Sequence, residues 1–84
     1  KDQAAFFSLK KIYDENRKII KDILDECIIQ GKIDPINTQV VASIILGALD
    51  GEMIQWITDA KRFPLEESYD TMVKIILKGL EKSK

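Results

Sequence analysis

Few residues in this 84-residue chain have the types and spacing that catalysis or ligation requires. There is no histidine, and Cys27 is the one cysteine. The chain therefore has no imidazole to act as base or metal ligand near neutrality. A single cysteine builds neither an internal disulfide nor a thiolate cluster. Cys27 falls on an apolar stripe, where a small core residue is expected, not an activated thiol. Asp50, Glu52 and Gln55 interrupt an apolar run, but they do not form a metal set or an acid/base set. No glycine-rich phosphate loop is present. An enzyme is not expected, nor a metal or cofactor. The residues left are suited to recognition. Asn16 sits within an apolar stripe, as a core-edge residue or as a hydrogen-bonding group in a pocket. Trp56 stands near a helix end, more in keeping with a core position than a ligand contact. Ser43, Gly47 and Gly51 repeat every four residues, a smooth strip that lets another backbone come close.

Helices must position these groups. From about Gln3 to Gln30 the apolar residues Phe6, Leu9, Ile12, Tyr13, Ile20, Ile23, Leu24, Cys27 and Ile28 keep one helical phase. That reads as a single helix of about seven turns. Its opposite side, with Lys11, Asp14, Lys18, Lys21, Asp22 and Asp25, reads as a solvated face, and Asp14 and Lys18 are spaced for an ion pair. Phe7 and Ile29 fall off the stripe, as residues that meet a further segment would. Gly31 suits a left-handed helix cap, and Pro35 prevents continuation.

A second helix is expected from Thr38 to Asp59, capped by Asn37. It is apolar nearly all round. One side carries Ile45, Leu49, Met53 and Trp56, and the other Val40, Ile44, Gly47, Gly51 and Ile54. Two apolar sides call for two partners. The glycine strip suits either close packing on the third helix of the same chain or contact with a second subunit. Pro64 then opens a third helix, Leu65 to Lys82, with Glu66 and Glu67 in its first turn and Lys74, Lys78, Lys82 and Lys84 towards its end, as the helix dipole favours. Its apolar arc is wider than one neighbour would cover.

The expected fold is all-α: three antiparallel helices in a single partial domain, residues 1–84. An isolated unit of this size has a marginal core and calls for oligomerisation. Thirteen basic and 14 acidic residues, well interleaved, give a net charge of −1. That excludes a dedicated nucleic-acid surface. The uncharged run from Pro35 to Leu49 is too short and too polar to span a bilayer. No signal peptide is visible. The absence of a disulfide framework fits a cytoplasmic protein.

The order IIQGKIDP, ILGALDGEMIQWI, DAKRFP, LEESYDTMVKIILKGL resembles the C-terminal part of TetR/AcrR-type transcriptional regulators. The positions that carry the likeness are Gly31, Asp34, Pro35, Leu49, Asp50, Gly51, Trp56, Gly79 and Leu80. The resemblance implies a homodimer whose last two helices pair with their copies as a four-helix bundle. It implies a pocket for a small apolar or amphipathic effector. DNA would be bound only through an N-terminal helix-turn-helix, absent from this chain. In that reading Ile44, Gly47, Gly51, Ile54, Tyr69, Met72, Val73, Ile76 and Leu80 meet the second subunit, and Phe6, Tyr13, Asn16, Ile20 and Trp56 line the pocket. The rival expectation is a stand-alone helical interaction domain without ligand.

Overall fold

The computed structural model describes residues 2–82. It contains three helices: α1 (Asp2–Ile29), α2 (Thr38–Thr58) and α3 (Leu65–Leu80). Local chemistry sets the ends. Gly31 adopts φ +73°. Its N–H donates to the Ile28 carbonyl at 3.0 Å, and the Lys32 N–H donates to Cys27 at 2.9 Å. This double bond past a left-handed glycine is the Schellman closure. Asn37 caps α2, its side chain accepting from the Val40 N–H at 3.2 Å. Pro64 occupies the cap position of α3, and Glu66 and Glu67 follow in its first turn. The third helix stops two residues short of the expected Lys82; Lys84 lies outside the described residues.

Polar bonds fix the pairing of α1 with α2. The Thr38 hydroxyl donates to Asp25 at 2.6 Å, and the Tyr13 hydroxyl donates to Asp50. Moving back along α1 from 25 to 13 moves forward along α2 from 38 to 50, so the helices are antiparallel. Leu24, Ala42 and Leu46 are buried beneath this seam. On the other flank of α2, the Ser68 hydroxyl of α3 donates to Glu52 at 2.6 Å.

Among the described residues α1 and α3 make no backbone approach to each other; each packs on α2 alone. The Cα atoms fill a slab of 47 × 34 × 13 Å, little more than one helix thick. The two outer helices therefore flank α2 in a single layer. The solvated face of α1 holds at Lys11, Asp14, Lys18 and Asp22, which are exposed. It is corrected at Lys21 and Asp25, which are half-buried at the α2 seam, whereas Leu9, Ile12 and Ile23 of the apolar stripe are exposed. Asp14 pairs with Lys10 at 2.6 Å and Arg17 at 3.1 Å, and Lys18 pairs with Asp22, so the Asp14–Lys18 pair does not form.

A layer has little interior. A compact monomer of 9.6 kDa exposes roughly 5,100 Å² by the usual surface scaling. This chain exposes 6773 Å². Its radius of gyration is 15.3 Å, against about 12 Å for a compact domain of this length.

Candidate functional site

The layer has two faces, and α2 is apolar on both. On one, Val40, Ile44, Gly47, Gly51 and Ile54 follow each other along the helix. Ile44 and Ile54 are about 60% exposed (62% and 60%). A Cβ added at Gly47 or Gly51 would meet no atom within 4 Å. The glycines therefore do not serve close packing on α3. A shallow groove of about 550 Å³ continues this face onto α3, between Ile44 and Ala48 on one wall and Ser68, Thr71, Met72 and Ile75 on the other.

On the opposite face two further grooves are lined by all three helices. The first, about 580 Å³, brings Asn16 of α1 together with Leu49, Asp50, Glu52 and Met53 of α2 and with Leu65, Glu66 and Tyr69 of α3. The second, about 410 Å³, joins Ile20, Ile23 and Cys27 to Ile45 and to Ile76 and Leu80, with Lys32 among its lining. The longer α1 and the shorter α3 form the walls, and the Ile45–Leu49–Met53 side of α2 lies between them.

These grooves sort the residues singled out in the sequence. Asn16 and Ile20 line them, one in each. Tyr13 lies at the α1–α2 seam, bonded to Asp50. Phe6 is exposed and packs edge-to-face on Phe7, ring centroids 6.0 Å apart. Trp56 is 40% exposed and lines none of the grooves described. Among the residues assigned to a subunit contact, Ile44, Met72 and Ile76 border the groove of the glycine face. Tyr69 and Leu80 open onto the grooves shared with α1, and Ile76, between the faces, borders one of these as well. The two halves of that set are thus divided between the faces.

Sequence reasoning missed the polar ties. Asp50 and Glu52 are two residues apart and serve opposite flanks of α2: one accepts from Tyr13 of α1, the other from Ser68 of α3. The signal was available, since a carboxylate in an apolar run needs a partner. The first of these charges, Asp50, is what ends the uncharged run from Pro35 at Leu49. Measured over Thr38–Thr58, the helix is long and apolar enough, by length and composition, to cross a membrane. Here its carboxylates tie it to the flanking helices.

The electrostatics follow these contacts. The Asp50 carboxylate, by accepting from the phenol, holds the Tyr13 pKa above its ordinary value, with burial and the negative charge adding to the effect. Lys21, then Thr38, by donating to Asp25, hold that carboxyl below the usual range, and Asp25 in turn raises Lys21. Lys10 lowers Asp14. Among the described residues no group of three or more His, Cys, Asp or Glu side chains could hold a metal ion. The arrangement supplies apolar surface with a few oriented acceptors, which suits recognition.

The pattern of the family described as YsiA-like protein, C-terminal region, a TetR-type C-terminal region, matches residues 7–79. The chain belongs to this family. No curated protein and no solved structure matches it. The chain is thus a region of a TetR-type transcriptional regulator, all-α in fold. TetR-family regulators act as soluble homodimers that bind small effectors.

Proposed function

We propose that this region joins two copies of the regulator through the glycine face and binds a small apolar or amphipathic effector on the opposite, three-helix face. The observation that carries the reading is the layer itself: one helix thick, apolar on both sides of α2, with open space over Gly47 and Gly51. The surface in excess of a compact monomer is about 1,700 Å². A standard interface takes about 800 Å² from each partner, so the excess is enough for a subunit contact and more. The subunit face combines Val40, Ile44, Gly47, Gly51 and Ile54 with Met72 and Ile75. Ile76, at the α2–α3 seam, supports it from below. Tyr69, Val73 and Leu80 are better placed towards the other face.

Effector binding then acts by population shift. A ligand seated between α1 and α3 favours one spacing of these helices over another. That difference in affinity is what moves N-terminal helix-turn-helix units relative to operator DNA. The test has two parts. Sedimentation equilibrium of the chain reads a dimer, and a monomer at micromolar concentration overturns the subunit assignment. Equilibrium dialysis against uncharged amphiphiles reads the effector face; no binding by any of them removes that half.

A further inference from the structure

We infer that the Tyr13–Asp50 hydrogen bond is a clasp that sets the direction of the N-terminal part of α1. Among the described residues two hydrogen bonds join α1 to α2, Thr38–Asp25 and Tyr13–Asp50. The first stands in the packed part of the seam, where Leu24, Ala42 and Leu46 are buried. The second stands where packing stops. Every residue from 3 to 12 of α1 is exposed, and so is every residue from 53 to 58 of α2. The antiparallel register runs these two stretches past one another. Yet Phe6, Leu9 and Ile12 on one helix and Met53 and Ile57 on the other stay open to water. Beyond Tyr13, α1 is an arm held by its phenol.

Tyr13 and Asp50 are both half-buried, so water reaches the pair and the bond's net strength is modest. One water taken between phenol and carboxylate widens the seam by about 3 Å at Tyr13. Leu24 lies about 16 Å back along the helix from Tyr13, and about 28 Å from Ala5. Turning about Leu24, α1 then carries Ala5 about 5 Å away from α2. On the other flank Glu52 holds α3 through Ser68, so the two outer helices are fastened independently. Asp50 also lines the groove shared with α3, which puts the clasp at the border of the effector face. The clasp itself belongs to the free chain and stands whether or not an effector binds.

The experiment measures the distance between nitroxide labels at Ala5→Cys and Thr58→Cys, in a Cys27→Ser background, by pulsed electron double resonance without ligand. Labelled chain is diluted with unlabelled chain, so only distances within one protomer count. Tyr13→Phe, which removes one hydroxyl, is expected to lengthen the mean distance by about 5 Å. Asp50→Ala opens the clasp from the other side, with the same expected shift, and its better helix propensity keeps a folded variant if Tyr13→Phe does not fold. Asp50→Asn keeps an acceptor for the phenol and is expected to hold the parent distance. Ser68→Ala cuts only the α3 tie and is expected to leave it unchanged. A parent distance in both Tyr13→Phe and Asp50→Ala overturns the proposal. So does an equal lengthening in Ser68→Ala, which makes the effect a general loosening of the layer. Neither result bears on whether an effector binds.

Discussion

Replacing Gly47 and Gly51 separates what the helix wants from what a second subunit needs. Within one protomer a methyl at either position meets nothing within 4 Å. Neither glycine has positive φ; among the described glycines only Gly31 does. Helix propensity then predicts that each Gly→Ala change stabilises α2 by about 1 kcal/mol, and the pair by about 2. Leucine at the same positions projects several atoms beyond the face. If the strip lies against a second copy, two-fold symmetry places each substitution in the contact twice. Overpacking costs about 1–3 kcal/mol per site, so a single Gly51→Leu change costs the dimer at least about 2 kcal/mol, a rise in Kd of some 30-fold. Sedimentation equilibrium reads Kd, and urea unfolding at several protein concentrations reads stability. The expected outcome is stronger helix formation with weaker association. A leucine variant that dimerises as tightly as the parent would refute the placement of the glycines at the subunit contact.

The remaining predictions concern the ties that hold the layer. Gly31→Ala forces a side chain into φ +73° and should cost about 1 kcal/mol in urea unfolding, whereas Gly79→Ala, in ordinary helical backbone, should gain stability. Asn37→Ala removes the cap on the Val40 N–H and should cost about 1 kcal/mol by the same measurement. Asp25, with its folded pKa lowered by Lys21 and Thr38, contributes stability that is complete above the unfolded value near 3.9 and fades as pH falls through the folded one. Asp25→Asn should flatten that acid limb of the stability profile. For Tyr13 the sign reverses. Its raised pKa contributes below the ordinary value of about 10 and is lost as pH rises through the folded one, so the ultraviolet titration should show a phenol ionising late, absent in Tyr13→Phe.

Helix positions were legible because they rest on local chemistry. Gly31 and Pro35 close one helix, Asn37 and Pro64 stand at the starts of the others, and the observed ends agree with the expected ones to within two residues. The family was legible for the same reason: its signature is an ordered set of caps, turns and apolar positions along the chain. The side of each helix that would be covered was not. Leu9, Ile12 and Ile23 belong to the same periodic stripe as Leu24, yet α2 covers only one edge of that stripe. Periodicity marks which residues avoid water, not which neighbour arrives to shield them.

Asp50 and Glu52 make the same division. Their presence in an apolar helix was plain in the sequence, and so was their need for partners. That one reaches back 37 residues to Tyr13 and the other forward 16 to Ser68 depends on how three helices lie side by side. The glycine strip was equally plain as a place for close approach. Only the packing of α1 and α3 on the flanks of α2 left Gly47 and Gly51 facing outward. A helix carries its own hydrogen bonds and so is written locally, but the direction in which it buries its surface is a property of the assembly around it.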